Sequence, residues 1–175
     1  MNNDLTMPPE VKAYLSGTNH PESMQFDFLI GIWEFEGSSL LPDGNKLNYS
    51  GIWKAHYINE KRMIVDDFKM LSPDGAELSS YVTLRTYSPI SKRWELSGLA
   101  AMLPAVETHE WYEGMEGNEM KLHATGKTQD GRMIKNRITF YEIQEHAFKW
   151  RSEISFDLGE HWMEMSALST KRVSA

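Results

Sequence analysis

The chain has 175 residues, of which 41% are hydrophobic and 25% charged, and its net charge is −7. A chain of this length and composition is typical of one globular domain whose core needs no cross-links. It contains no cysteine, which excludes disulfides, thiolate chemistry and cysteine-based zinc sites. No basic stripe is present and the first 45 residues are strongly acidic, which argues against nucleic-acid binding.

The amino-terminal residues lack the basic region and apolar run of a secretory signal. No stretch approaches the roughly 20 apolar residues that a membrane-spanning helix needs. We therefore expect a cytoplasmic protein without a membrane span.

In chain order, residues 1–21 form an amino-terminal extension and residues 22–175 a single domain. Thr6 and the prolines that follow it predict one short helix, which ends before Gly17. A second short helix is indicated by Phe26, Leu29 and Ile30, which share a helical face, with Gly31 placed to end it.

From Ile32 onward the pattern changes to alternation, and turn signals rich in Pro, Asp and Gly recur every 8 to 16 residues. Between them we predict ten strands, at 32–41, 46–58, 62–72, 77–87, 92–103, 107–114, 119–128, 132–143, 147–157 and 161–171. Short connections imply sequential hairpins, and ten such strands are more stable closed than open. The predicted fold is all-β, a single closed antiparallel up-and-down barrel with short amino-terminal helices.

The segment Phe26-Asp27-Phe28-Leu29-Ile30-Gly31-Ile32-Trp33 resembles the opening of the calycin superfamily. More narrowly, it is similar to a bacterial group of lipocalin-like domains, mostly of unknown function, and that likeness extends over about residues 24–172. The resemblance implies a barrel with Trp33 at its closed end and Arg172 across the face of the indole. The nitrobindins, a related branch, bind haem through a histidine near the carboxyl terminus. This chain has Met163, Met165 and Ser166 in that region, so haem binding is not inferred.

Alternation predicts which side chains point into the barrel. An aromatic-walled interior with a few polar groups is typical of small-molecule sites, although most core aromatics simply pack. In the fourth strand the alternation does not decide which face points inward. The candidate ligand-binding residues are Trp53, Tyr57, Tyr81, Arg85, Trp94, Trp111, Asn136, Trp150 and Glu164.

The acid–base candidates are His109, Glu164, Tyr81 and Arg85. His109 shares a predicted face with Glu107 and Trp111, and a histidine beside a carboxylate can act as a general base. A surface histidine next to a glutamate is far more common than a catalytic pair. No metal-binding, phosphate-binding or nucleophile motif occurs, and we expect no metal or cofactor.

Three hypotheses remain open. The first is a protein that binds a small, largely apolar ligand in the lumen, and the second is an isomerase, cyclase or hydrolase acting in the same lumen. The third is a scaffold or dimerisation module whose barrel is filled, and a homodimer is compatible with the sequence. Fold resemblance does not choose among them, because one fold serves many functions.

Overall fold

The computed structural model describes residues 7–16, 20–101, 111–128 and 130–174. Ten antiparallel strands close into one barrel, in the order β1-β10-β9-β8-β7-β6-β5-β4-β3-β2, so the predicted all-β up-and-down barrel is confirmed. No helix in the described ranges is long and apolar enough to cross a bilayer. The strands are β1 Gly31–Leu40, β2 Lys46–Ile58, β3 Met63–Leu71, β4 Glu77–Ser88, β5 Arg93–Ala100, β6 Trp111–Glu116, β7 Glu119–Lys127, β8 Met133–Tyr141, β9 Lys149–Ser155 and β10 Met163–Ser174.

The predicted end of β6 is two residues short, because the strand ends at Glu116 rather than at residue 114. The turn that follows it is the tight pair 117–118, because Gly117 adopts a positive φ of 61°. The first helix, α1, spans Pro9–Leu15. The second predicted helix is instead two short 3₁₀ turns, Pro21–Met24 and Asp27–Leu29.

The two ends of the barrel differ. We call the end where β1 begins the plug end and the opposite end the mouth. Phe26 and Leu29, from the segment before β1, are 0% exposed at the plug end. The ring of Phe26 meets Trp94 edge-on at 4.8 Å and Phe140 at 5.7 Å between centroids. Residues 20–30, which we call the lead segment, therefore fill this half of the barrel, which we call the sealed half.

Arg172 near the end of β10 ties the last strand to the lead segment. Its guanidinium carbon lies 3.9 Å from the centre of the Trp33 ring. Its nitrogens donate to the carbonyl oxygens of Phe28 at 3.0 Å, Glu145 at 2.7 Å and Ile30. The Trp33 Nε1–H donates to the Leu29 carbonyl at 2.8 Å. The arrangement that the resemblance implied for Trp33 and Arg172 is thus present.

Three of the hairpins at the mouth use the same five-residue turn, at 41–45, 72–76 and 128–132. In each, the first residue donates its N–H to the carbonyl of the fifth at 2.8–2.9 Å, and the fourth donates to the first at 2.9 Å. The fourth residue is always glycine with φ of 83–84°, a conformation that disfavours other residues. An aspartate precedes it each time.

Inward-facing glycines are of two kinds. A Cβ on Gly51 would lie 2.0 Å from the Lys69 carbonyl oxygen and 2.3 Å from the Phe35 ring, whereas one on Gly98 would have its nearest neighbour at 3.6 Å. Neither residue has a positive φ. Gly51 is therefore required by packing, while a Cβ on Gly98 would make only ordinary van der Waals contacts, with Val82 and Thr83.

We expect Arg172→Lys to lower the free energy of unfolding by about 2 kcal/mol, because an ammonium cannot span several carbonyls and stack on an indole as a guanidinium does. Urea denaturation followed by fluorescence measures the loss. The matched control is Lys171→Ala on the exposed face of β10, which should change stability by less than about 0.5 kcal/mol. Equal effects of the two substitutions would contradict the role given to Arg172.

The two kinds of glycine make a second prediction. Gly51→Ala should destabilise the fold by about 1–3 kcal/mol through overpacking, and Gly98→Ala should stay within about 0.5 kcal/mol of the parent. Thermal unfolding of the two variants side by side tests this. Similar melting temperatures for both would show that the difference in packing is not real.

Candidate functional site

The side chains of β4 alternate between the lumen and the outside, and burial settles the face that alternation left open. Arg85 and Tyr87 are each 4% exposed, whereas Val82 and Leu84 are 44% and 43% exposed. Tyr81, Thr83, Arg85 and Tyr87 therefore point into the barrel.

The half of the lumen nearer the mouth, which we call the open half, is lined by side chains that remain partly exposed to solvent. Residues that lie opposite each other in an antiparallel pair point to the same face. Tyr81 pairs with Phe68, Thr83 with buried Asp66, and Trp150 with buried Phe140. All of these side chains point inward. A larger inward-facing set is only partly buried, namely Phe68, Tyr81, Thr83, Asn136 and Ser152. These partly exposed, inward-facing side chains line a solvent-accessible cavity, which we call the cup.

The floor of this cup is a buried ion pair between β3 and β4. Arg85 Nε donates to Asp66 Oδ2 at 2.6 Å, and Asp66 is only 1% exposed. The other carboxylate oxygen of Asp66 accepts from Trp53 Nε1 at 2.8 Å. A buried carboxylate is stable only when paired and hydrogen-bonded, and here both oxygens are satisfied.

The guanidinium of Arg85 lies between the two halves. Its central carbon is 4.9 Å from the centre of the Phe26 ring, which caps the sealed half, and 5.8 Å from that of Phe140. Both distances fit cation–π contacts. One hydrogen bond, from Nε to Asp66, is found for Arg85 among the described residues. The two terminal amino groups have none.

Those amino groups are not enclosed. In the described part of the chain, the side-chain polar atom that is both fully buried and unpaired is Thr139 Oγ1, on another strand. The unpaired amino groups of Arg85 must therefore touch accessible space, and the inward direction of Arg85 places that space in the lumen.

A group of hydroxyls lies on the wall of the open half, across the β2–β1–β10 junction. Ser39 Oγ donates to Ser166 Oγ at 2.9 Å, and the Tyr49 hydroxyl lies 2.6 Å from the same oxygen. Burial raises the pKa of the Tyr49 phenol. The three hydroxyls satisfy one another, and the raised pKa keeps Tyr49 a neutral phenol at physiological pH.

The candidate ligand-binding residues do not lie together. Tyr81 and Asn136 are in the open half, while Trp53 and Arg85 form its floor. Trp150 points inward near the start of β9, opposite buried Phe140, and is half-buried. Two more lie beyond the floor. Trp94 is 1% exposed and donates from Nε1 to Gln25 at 3.1 Å, and the Tyr57 hydroxyl donates to Asp27 of the lead segment.

Glu164 lies on the outer face, which corrects the expectation that it could enter the lumen. Counting back by twos from buried Leu168 would place Glu164 inside. A β-bulge interrupts the pairing between Glu164 and Ser166, and the extra residue reverses the alternation. Glu164 consequently lies opposite Glu153 and is exposed.

Arg137 is also outside. Its guanidinium binds both oxygens of Glu153 at 2.8 and 2.9 Å and stacks on Trp162 at 4.1 Å. Of the remaining candidates, His109 lies outside the described residues. Trp111 begins β6 opposite Leu96.

One group of potential metal ligands occurs among the described residues, namely Asp157, Glu160 and His161, and it is exposed. The carboxylate of Asp157 accepts from the backbone N–H of His161 at 2.9 Å and from Ser155 Oγ at 2.7 Å. These bonds, with the His161 ring, lower the pKa of Asp157. The group stabilises the turn between β9 and β10.

Sequence reasoning did not single out Asp66. Asp66 follows Ile64 and precedes Phe68 on the same alternating face of β3. A lone acid in such a row, together with Arg85 in the next strand, was the signal available. Whether a side chain fits at Gly98 depends on its neighbours on the adjacent strands, and sequence alone does not identify those neighbours.

A groove of about 530 Å³ lies on the outside of the barrel, across β10, β1 and β2. Charged side chains line it, including Glu34, Glu36 and Lys171, together with Ile52.

The fold and the aromatic lumen define a lipocalin-like β-barrel. The sequence matches no protein-family model and no curated protein significantly. Among solved structures, Rv2717c from M. tuberculosis is 14% identical with a TM-score of 0.60, and the match covers 87% of this chain and 98% of that one. The S-type phycobiliprotein lyase CPES from Guillardia theta is also 14% identical, with a TM-score of 0.55 and coverage of 90% and 99%.

A redesigned β-barrel, mFAP0, bound to DFHBI, is 11% identical with a TM-score of 0.43, covering 83% of this chain and 99% of that one. At that score the similarity carries no argument about this protein. The two natural neighbours establish the barrel fold and nothing about what this chain binds.

The ion pair makes a prediction for stability. Asp66→Asn should lower the free energy of unfolding by about 3–5 kcal/mol, because it leaves a buried guanidinium without its counter-charge. The double variant Asp66→Asn/Arg85→Met should lose less, since no charge then remains in the core. Urea denaturation of the parent and both variants measures the difference. A double variant less stable than Asp66→Asn would contradict it.

Proposed function

We propose that this protein binds a small, largely apolar organic ligand in the open half of its barrel. The observation that carries the proposal is the partial exposure of inward-facing side chains near the mouth, such as Phe68 and Tyr81. In the sealed half, by contrast, Phe26, Leu29, Trp94 and Phe140 are at most 1% exposed. In a barrel that served only as a filled scaffold, we would expect the inward side chains of both halves to be buried.

The lining also supports an apolar ligand. Aromatic rings cover much of the wall, while Asn136, Ser152 and Thr83 supply a few polar groups. This combination of apolar area with sparse hydrogen-bonding groups is typical of small-molecule sites. We further propose a place in the lipocalin-like group that the segment 26–33 resembles, and a cytoplasmic location.

The enzyme hypothesis has less support. Acid–base catalysis needs two titratable groups that share access to a substrate. Glu164 is on the outer face, and the carboxylate of Asp66 is committed to Arg85 and Trp53. Ligand binding requires none of these groups to exchange a proton.

Binding can be tested with N-phenyl-1-naphthylamine, a neutral apolar dye that becomes fluorescent in apolar surroundings. We expect saturable binding to the native protein with quenching of tryptophan fluorescence. Gly98→Leu should weaken binding at least about tenfold, because the new side chain projects into the cup where a Cβ meets no close neighbour. Absence of saturable binding across a chemically varied ligand panel would rule out the proposal.

The matched control is Ser97→Leu, which adds the same side chain to the exposed outer face one residue away. It should leave the dissociation constant unchanged. A second control is Ile52→Arg in the outer groove. Dye binding that survives Gly98→Leu but is lost in Ile52→Arg would place the ligand outside the barrel and contradict the proposal.

A further inference from the structure

The floor of the cup presents unused hydrogen-bond donors. The terminal amino groups of Arg85 carry N–H bonds that no described residue accepts, although Arg85 is only 4% exposed. Buried donors normally have partners, and leaving them unpaired is costly. Because these amino groups reach accessible space in the lumen, a ligand oxygen that enters the lumen can accept hydrogen bonds from them.

The charge of Arg85 is already balanced. Asp66 pairs with it at 2.6 Å and is itself 1% exposed, so the floor as a whole is neutral. A ligand carboxylate placed here would be a second buried anion sharing one guanidinium. It would lose its hydration and lie close to Asp66, and both effects are unfavourable in a low-dielectric interior.

A neutral carbonyl avoids both costs. Its oxygen accepts hydrogen bonds from a guanidinium without adding charge, and such bonds are stronger than those between neutral groups. The body of the ligand would then contact the aromatic wall above the floor, where Phe68 and Tyr81 face each other across β3 and β4.

Resting on the proposed function, we infer that the cup selects uncharged carbonyl compounds with an apolar ring body over the corresponding carboxylates. Arg85 provides the donors that bind the carbonyl oxygen. Asp66 makes the site selective, because it neutralises the charge that would otherwise attract an anion.

Three compounds of nearly equal size test this by displacement of N-phenyl-1-naphthylamine. They are 2-acetylnaphthalene, which carries a ketone, 2-naphthoate, which carries a carboxylate, and 2-isopropylnaphthalene, which has no acceptor. We expect the ketone to bind the native protein about tenfold more tightly than the hydrocarbon, the gain typical of one good hydrogen bond. The carboxylate should bind at least tenfold more weakly than the ketone.

Two variants assign the selectivity to the pair. In Asp66→Asn/Arg85→Met the ketone and the hydrocarbon should bind equally, because the donors are gone and no charge is left unpaired. In Asp66→Asn the free guanidinium should bring the carboxylate to at least the affinity of the ketone. Since Asp66→Asn lowers stability, the double variant and the native protein test the inference if that single variant does not fold.

The outcomes separate the inference from the function on which it rests. If the dye and all three compounds bind the native protein and bind equally, the inference is overturned and the proposed function stands. A native preference for 2-naphthoate would also overturn the inference. If neither the dye nor any of the three compounds shows saturable binding, the proposed function fails and the inference fails with it. Ketone selectivity that persists in the double variant would show that Arg85 is not its source.

Discussion

The ion pair between Asp66 and Arg85 lies where the two halves of the barrel meet, and the organisation of the lumen depends on it. Below it, Phe26 packs against the guanidinium at 4.9 Å and fills the sealed half. Above it, inward side chains remain partly exposed to the mouth. A charge can be held at that depth because the carboxylate accepts from both Arg85 and Trp53. The pair thus gives a polar floor to a cavity that otherwise has largely apolar walls.

Much of the architecture could be predicted from sequence, because alternation and turn chemistry are local properties. The turns at 41–45 and 72–76 carry Pro-Asp-Gly, and strand bounds next to them agree within about a residue. The second helix was wrong in type, because the chain there forms a four-residue turn, Pro21–Met24, and a three-residue turn, Asp27–Leu29, both of them 3₁₀.

The site was harder to predict because it depends on partners far apart in sequence. Asp66 and Arg85 are 19 residues apart, and either alone in an alternating strand is ambiguous. Glu164 could not be placed from its own neighbours, since a one-residue bulge reverses the face of every position before it. The outer position of Arg137 is shown by its hydrogen bonds to Glu153. The sequence was enough to predict a lumen, but the strand register, including its bulges, determines which side chains face it.

The three equal turns at the mouth have a consequence for how such a barrel can diversify. Each holds its hairpin by the same two backbone hydrogen bonds and one left-handed glycine, and a Cβ on any of these glycines would meet nothing within 4 Å. They are self-contained units that do not take part in the packing of the lumen. A different loop could therefore be grafted at 41–45 or 72–76 to change what reaches the cup, while the ion pair and the aromatic walls stay as they are. The entrance and the interior can in this way evolve, or be engineered, separately.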